Sequence, residues 1–506
     1  MTDNGIFSGS GESQVPGGAV RLRPVRAKRR LPIPGLVLAI LLIICGTAGV
    51  AVAGLVGVLP TWALVLVVAV DLVAVAGVSA LLLASPPSAH RGRFWTAAAL
   101  AVVVMVANLS AVKLGTDYLH FGHEIQAPPD DTVLYDVVVL ADGPTDIAQL
   151  SGSLMGEVGD DPLGRAVRDK ISKMVNVSFV TSTPWTNTVA DLTASDVSSI
   201  VIQDGFIQVL RDANPDTFAT LRILTSFEVD AKLAGPAPTA PSTTAPPPIQ
   251  PGNAFVIYIS GIDTYGNIAN RARSDVNMLM VVNPDSGQIL LVNTPRDFYV
   301  QLRGTTGLRD KLTHAGVYGI NVSVGTLEDL YGITIDYYVR INFSSLVTVV
   351  DALGGIDVDS AYNFSLDGYT FVKGMNRNLS GAAALAFSRD RKDFAGGDRV
   401  RGENQQRVIT AIIHKLSNPN VLVGYQRILN AVGASVQTSM PLDFISAQVK
   451  QQLTTNRNWT VNSVSVTGSD ASEYTHSYPG QRLYVMVPSQ SSVDNAKAQI
   501  QAVLNG

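Results

Sequence analysis

The front of this chain is apolar and the rest alternates. Leu31 to Leu59 carries no charged residue, Trp62 to Ala84 carries only Asp71, and Trp95 to Val112 carries none. A helix needs about 20 apolar residues to cross a bilayer, and Leu31–Leu59 exceeds a signal-peptide core and lacks an evident cleavage site. Three transmembrane helices are therefore expected within 31–113, after a tail at 1–30. From there to Val229 the pattern fits a small α/β accessory domain (114–234). Its strands are expected at Asp136–Leu140, Val177–Thr181, Val197–Gln203 and Leu221–Val229, with a helix over Asp161–Met174. The segment 235–252, GPAPTAPSTTAPPPIQPG, cannot build a core and reads as an extended linker.

From Ala254 strand and helix patterns alternate again, and 253–506 reads as one α/β domain with a mixed central sheet. Phe255–Ile259 is a strand, and Asn277–Val292 is a hairpin turning at Pro284–Gly287. Asp310–Tyr331 is helical in two pieces broken near Gly319, and Ile335–Phe343 is a strand. Ser344–Leu353 is a helix closed by Gly354-Gly355, and Ser380–Phe387 is a short helix. A long helix over Arg401–Leu416 places Val408, Ile409, Ile412, Ile413 and Leu416 on one face. Helices at Val421–Val432 and Leu442–Leu453, strands at Val461–Val466 and Arg482–Val487, and a helix at Ser491–Leu504 follow. Ser491 or Ser492 is the expected cap of the last.

Charge then sets orientation and narrows the partners. Net charge is −4 over 506 residues, so no bulk polyelectrolyte partner is implied. Arg21–Arg30 holds six basic residues and no acid, and Arg91 and Arg93 lie between the second and third spans. The positive-inside rule puts both basic segments in the cytoplasm and everything beyond Lys113 outside. Cys45, the only cysteine, lies in the first span, so no disulfide forms within the chain, and there is no Cys/His cluster for zinc. Asp71, inside the second span, marks a function or, the simpler reading, pairs with a neighbouring helix or sits protonated.

Two polar clusters interrupt the outer domain. Phe387–Arg407, FSRDRKDFAGGDRVRGENQQR, holds five arginines and one lysine against four acids. Arg389 and Arg391 alternate, so on a strand or extended loop they point the same way. A glycine bend before a helix start suits an anion, and arginine forks suit phosphate oxygens. Alone, such a run reads more readily as a solvated, salt-bridged loop. The second cluster changes that: SGIDTYG (260–266), RARSDVNML (271–279) and NTPRDFYV (293–300) put Asp263, Arg273, Asp275, Arg296 and Asp297 at strand ends. Together the clusters suit a pyrophosphate with a divalent cation, the carboxylates of Asp263 and Asp275 holding Mg²⁺ or Mn²⁺. A nucleic-acid partner is disfavoured: the clusters lie beyond the membrane and lack interleaved aromatics.

RSDVNML and NTPRDFYV, with DKLTHAGVYG (310–319), GTLEDLYGITIDYYVRINF (325–343), VDALGGIDV (350–358) and ALAFSRDRKDFAGGDRVRGENQQRVI (384–409), resemble the LytR-CpsA-Psr family of bacterial cell-wall enzymes. The resemblance covers about 254–416 and looks closest to the capsule-associated CpsA branch, which is similar in having an extra domain before the catalytic one. It implies an α/β/α catalytic core with a hydrophobic pocket. It also implies transfer of a phosphoglycan, capsule or teichoic-acid-like, from a polyprenyl (pyro)phosphate carrier to a peptidoglycan hydroxyl outside the membrane. By the family's motifs, Arg273, Arg296, Arg389, Arg391 and Arg401 hold the pyrophosphate, and Asp263 and Asp275 hold the metal. Asp398 either orders the arginines or accepts the hydroxyl proton. Arg271, Lys311 and Gln405 contact substrate, and His314 is a base or a structural histidine. The machinery that exports capsule or wall polymer is an expected partner. Two rivals stand beside the transferase: a pyrophosphatase using water as acceptor, and a non-catalytic envelope sensor or scaffold.

Overall fold

The computed structural model describes residues 33–85, 91–126, 132–234, 252–262, 268, 270–390, 397–418, 425–433 and 435–506. The expected N-terminal tail and nearly all of the linker lie outside these residues. Contacts divide the chain into two bodies, one drawn from Met1–Thr47 and Val70–Asn108, the other from Ala48–Ala69 and Leu109–Gly506.

The apolar stretches form α1 (Ile33–Val56), α2 (Thr61–Ala84) and α3 (Arg91–Ile125), each long and apolar enough to cross a membrane. Within the first body, Asn108 Nδ2 of α3 donates to Asp71 Oδ1 of α2 at 2.7 Å, so Asp71 pairs with a neighbouring helix. α3 continues well past the expected end at Val112. Tyr118, Phe121 and Ile125 recur at helical spacing and are buried with Leu429, which gives that extension a face to pack.

The next module has strands β1 (Thr132–Leu140), β2 (Leu154–Val158), β3 (Ser178–Ser182), β4 (Ser199–Gln203) and β5 (Leu221–Asp230) in one sheet of order β3-β2-β4-β1-β5. Four helices accompany it: α4 (Gly164–Met174), α5 (Trp185–Thr193), α6 (Asp204–Ala213) and α7 (Pro215–Ala219). The sequence pattern does not disclose β2, α5 or α6. β2 is short and carries a mid-strand glycine, and α6 follows β4 with no intervening turn to announce it.

The C-terminal part opens with β6 (Phe255–Ile262), β7 (Ser274–Asn283) and β8 (Gln288–Thr294), then a small pair, β9 (Tyr299–Val300) and β10 (Asp310–Lys311). A short 3-10 turn leads to α8 (Ala315–Tyr318) and α9 (Ile320–Tyr331), then β11 (Tyr337–Asn342) and α10 (Phe343–Ala352). β12 (Ile356–Ser360), β13 (Phe364–Leu366), β14 (Tyr369–Phe371) and β15 (Gly374–Leu379) form two small ladders before α11 (Gly381–Arg389) and α12 (Asp398–Leu416). The chain closes with α13 (Tyr425–Gly433), β16 (Val436–Thr438), α14 (Leu442–Thr455), β17 (Thr460–Ser465), the hairpin β18 (Gly468–Tyr474) and β19 (Arg482–Pro488), and α15 (Gln490–Asn505).

Six strands make the central sheet, in order β16-β11-β6-β7-β8-β17. It is mixed, as expected: β6, β7 and β8 are antiparallel neighbours, while β11 runs parallel to β6 and β17 parallel to β8. Alternation along the strands sorts their side chains onto two faces. Val256, Tyr258, Leu279, Val281, Leu290 and Val292 bury against Val324 and Leu327 of α9 and Val493 and Ile500 of α15. Ile257, Ile259, Met278 and Leu291 bury against Phe444 of α14 and Ile409 and Ile413 of α12. The result is an α/β/α sandwich.

Two expectations need correction. α12 does not bury one stripe. Val408, Ala411 and Ile412 turn toward α10, α11 and β12, Ile409 and Ile413 turn toward the sheet, and Leu416 is exposed. Having neighbours on two sides, the helix needs two apolar faces. The last helix starts at Gln490, so Ser489 is its cap residue rather than Ser491 or Ser492. Ser492 instead accepts the Thr467 amide through its hydroxyl at 3.0 Å.

Candidate functional site

Strand register gathers the polar motifs at one edge of the central sheet. Ile262, the last residue of β6, pairs with Ser274, the first of β7, and with Asn342, the last of β11. Asn277 pairs with Thr294, where β8 ends. Asp275 and Arg273 therefore emerge beside Arg296 and Asp297. Asp263 itself lies outside the described residues, as does Arg391, and the side chain of Asp398 is not described.

The core of the cluster is ionic. Arg296 Nη1 donates to Asp275 Oδ2 at 2.8 Å, and Thr313 Oγ1 donates to Asp275 Oδ1 at 3.0 Å. Gly316 makes this approach possible: a Cβ there would collide with the backbone of Ala272 and Ser274, so only glycine lets the 312–316 turn lie against the start of β7. Asp297 accepts from Lys311 Nζ at 2.9 Å and lies 3.5 Å from Arg296 Nε. Burial pushes the Asp275 carboxyl up, but the charges of Arg296, Arg273 and Arg401, with the Thr313 hydroxyl, outweigh it and hold the group well below the usual carboxylate range.

α12 brings the second motif to the same edge. Gly397, at φ +46°, caps its start, and Arg401 is buried in its second turn. The next residue, Gly402, packs where a Cβ would strike the Asn293 side chain of β8. Gln405 is half-buried. Arg389 departs from expectation: it is the last residue of α11, with Asp390 as the C-cap, and is not on a strand or extended loop. The apolar helix pattern persists through it, and its guanidinium stacks 4.8 Å above the ring of Phe343, the first residue of α10.

Lys311 is tied to Asp297, as above. His314 Nδ1 bonds to the buried Asp310 at 2.6 Å, and Asp310 also accepts the Ser477 amide at 2.7 Å. Burial pushes the Asp310 carboxyl up, but His314 and the Ser477 donors outweigh it and hold it low. The charge of Arg271 acts on Tyr135 of β1 instead, whose phenol burial and the adjacent Asp161 push far up.

Three polar residues of this region escape sequence reading. Arg340 of β11 is fully buried and donates to the Asn270 carbonyl at 2.6 Å. Tyr258 of β6 bonds to Asn277 at 2.6 Å and to Ser274 at 3.0 Å. Asn404 of α12 is 0 % exposed, and among the described residues neither its amide nitrogen nor its amide oxygen has a hydrogen-bond partner. A buried amide left unmet costs about 1–3 kcal/mol.

Arg273, Arg296, Lys311 and Arg482 line a cavity of about 180 Å³ together with Asp212 and Asp297. A larger groove of about 600 Å³ follows another face of α12, past Asp357, Arg399, Glu403, Arg407 and His414. There Arg399 pairs with Glu403 at 2.7 Å and Arg407 donates to the Asp359 carbonyl at 3.0 Å. Among the described residues there is no cluster of three His, Cys, Asp or Glu side chains. Asp275, a carboxylate kept ionised, still fits a cation such as Mg²⁺, which takes one or two carboxylates and retains waters and substrate phosphates.

Known proteins carry the same pattern. Residues 223–502 match the LytR_cpsA_psr family. The polyisoprenyl-teichoic acid–peptidoglycan teichoic acid transferase TagU of Bacillus subtilis strain 168 is 36% identical over 190 residues, covering 37% of this chain and 61% of that protein. Its Enterococcus faecalis counterpart is 38% identical over 191 residues, covering 37% of this chain and 62% of that one. The chain thus spans less than two thirds of the length of these curated relatives. The crystal structure of B. subtilis TagV aligns at 28% identity with a TM-score of 0.43, covering 51% of this chain and 99% of that one. Because the family's pattern extends over more than half of its residues, the chain belongs to the LytR-CpsA-Psr family.

Proposed function

We propose that this protein is a membrane-anchored phosphotransferase. It moves a glycopolymer from a polyprenyl-(pyro)phosphate carrier onto a peptidoglycan hydroxyl outside the cell, forming a phosphodiester. The observation that carries the reading is Asp275, held ionised among Arg296, Arg273 and Arg401 at the edge of a rigid sheet. Phosphoryl transfer is mostly positioning and charge neutralisation, and this edge concentrates arginine forks on a preorganised scaffold. Family membership and the TagU relatives, named as teichoic acid transferases, support the same reaction class. The three apolar helices support confinement to the plane where a lipid-linked donor resides, with the tail cytoplasmic.

Arg296, Arg273, Arg401 and Arg389, with Arg391, grip the phosphate oxygens. Lys311 adds positive charge, Gln405 donates to a phosphate oxygen, and Arg271 sits at the flank nearest β1. Asn404 offers one donor and one acceptor. The acceptor oxygen forms a bond to the phosphorus that bears the sugar, the bond from that phosphorus to the bridging oxygen breaks, and polyprenyl phosphate leaves. The hydroxyl proton passes to the Asp398 carboxylate. Mg²⁺ or Mn²⁺ held by Asp275 with Asp263 would supply charge neutralisation at the leaving phosphate. Capsule or teichoic-acid-like polymer is the cargo class, and the polymer-export machinery is the natural neighbour.

The test incubates the full chain in detergent with a polyprenyl-pyrophosphate oligosaccharide, peptidoglycan oligomers and Mg²⁺, followed by mass spectrometry. A phosphodiester-linked glycan on peptidoglycan, lost in Arg389→Ala, is the expected result. Sugar phosphate released without coupling would identify a hydrolase instead. No turnover with a folded protein would favour a sensor or scaffold.

A further inference from the structure

The β1–β5 module is docked on the catalytic fold through a shared core. Trp185, Ile207 and Leu210 of that module bury together with Val317, Tyr478 and Leu483 from the C-terminal part. Trp185 Nε1 donates to the Ser477 carbonyl at 2.8 Å, and Gln481 Nε2 donates to the Ala213 carbonyl at 2.7 Å. Gly205 in the first turn of α6 lies where a Cβ would meet the Val317 side chain at 2.7 Å. Contacts at both ends of α6 therefore fix the helix against the sandwich.

That fixed helix delivers a carboxylate to the site. Asp212, near the C-terminal end of α6, forms an ion pair with Arg273 Nη1. The Arg273 side chain is only 2% exposed, while that of Asp212 is 39% exposed and shares the cavity with it. A long arginine side chain has several rotatable bonds, and its fork binds phosphate well only when its plane is fixed. A partner on a rigid helix fixes it.

We propose that Asp212 is a positioning residue for anion binding, aiming the Arg273 guanidinium at the phosphate, so that the β1–β5 module completes the site rather than spacing it from the membrane. The inference rests on the reading of Arg273 as a phosphate-binding residue, and the experiment separates the two. Inorganic pyrophosphate with Mg²⁺ is titrated calorimetrically into the full chain in detergent, with thermal melts as a folding control. Arg273→Ala is expected to weaken binding by about two orders of magnitude. Asp212→Ala and the isosteric Asp212→Asn are expected to weaken it about tenfold, with Asp212→Glu restoring most of the loss. Adding Asp212→Ala to Arg273→Ala should cost nothing further, because Asp212 acts only through Arg273. If Arg273→Ala binds pyrophosphate as well as the parent, or the parent does not bind it, the phosphate-binding reading falls and this inference with it. If Arg273→Ala fails to bind while folded Asp212→Asn binds normally or more tightly, Asp212 is not a positioning residue although Arg273 binds phosphate. Additive losses in the double variant would likewise overturn it.

Discussion

Asp136 and Asp275 are both carboxyls on buried strands, yet their neighbours drive them in opposite directions. Asp136, in the middle of β1, accepts from Ser226 at 2.6 Å, and among the described residues its second oxygen faces no donor. Burial, and then the nearby Asp204, push it up to about 7, and burial pushes Asp204 up as well, so the two carboxyls share a proton. Asp275, at the start of β7, feels a similar burial, but three arginines surround it and keep it ionised. Burial alone thus decides neither case. One pair shares a proton because two acids meet with too little positive charge, and the other acid stays charged because guanidinium outnumbers it. A fixed anion among excess cations suits a phosphate and metal site. A shared proton suits the interior of a supporting module.

Breaking the cationic surround should have the largest effect. Arg296→Ala removes the proposed phosphate contact and the 2.8 Å partner of Asp275. Transfer, followed by mass spectrometry of coupled glycan, is expected to fall by about two to three orders of magnitude, and a melting scan should show lost stability, because a nearly buried carboxylate is left short of charge. Arg296→Lys, which keeps the charge without the fork, should melt nearly as the parent but still transfer at least tenfold more slowly. Parent-like transfer by either variant would remove Arg296 from the site. Chelation sharpens the same side of the comparison. With EDTA present, transfer is expected to drop at least tenfold and to return with Mg²⁺ or Mn²⁺. Full activity in EDTA would leave Asp275 as an arginine-ordering acid with no metal to hold.

The pH dependence of stability separates the two carboxyls. The folded state holds a proton on Asp136 that the unfolded chain releases near 3.8. Between roughly pH 4 and 7 the native state therefore binds more protons than the unfolded one, and stability falls as pH climbs through that window, levelling above about 7. Asp275 has the opposite sign: its stabilisation is fully present above the ordinary carboxylate range and is lost only on acidification below it. Thermal melts from pH 4.5 to 8 should thus decline for the parent, by the equivalent of a few kcal/mol at most, and decline less steeply in Asp136→Asn, where the raised Asp161 and Asp336 still contribute. A slope unchanged in that variant would place the titrating group elsewhere.

Much of this arrangement is legible in the sequence, for a physical reason. Asp275 and Arg296 stand out because each sits just where an apolar alternation starts or stops, and charges at strand ends have few structural uses. Arg340 gives no such signal: a single arginine within YYVRIN reads as one solvent-facing strand position, and only the register with β6 shows it buried. Asp212 ends an ordinary amphipathic helix and becomes informative only when α6 docks beside Arg273. The sequence leaves the placement of Arg389 open because helix and extended loop both follow naturally from ALAFSRD, and the stacking on Phe343 depends on a contact distant in sequence. Asn404 sits between polar neighbours in ENQQR, so nothing in the pattern marks it as the one with an unmet amide.

The smallest expected effect comes from an arginine two residues away from the site. Arg399 shares α12 with Arg401 but turns outward, 53% exposed, toward Glu403 at 2.7 Å. An exposed i,i+4 pair contributes about 0.3–0.5 kcal/mol, and here the order is unfavourable, because a cation in the first turn faces the positive end of the helix dipole. Arg399→Ala should therefore shift the melting temperature by no more than about 1–2 °C and leave transfer unchanged, while Arg401→Ala abolishes it. The measurement is the ratio of the two variants' rates at equal protein concentration. A tenfold loss in Arg399→Ala would mean that substrate also lies along the 600 Å³ groove on the outer side of α12. The division of that helix into a buried cationic face and an idle outer one would then fail, since charge on the exposed turn would be helping to hold the substrate proposed for the buried turn.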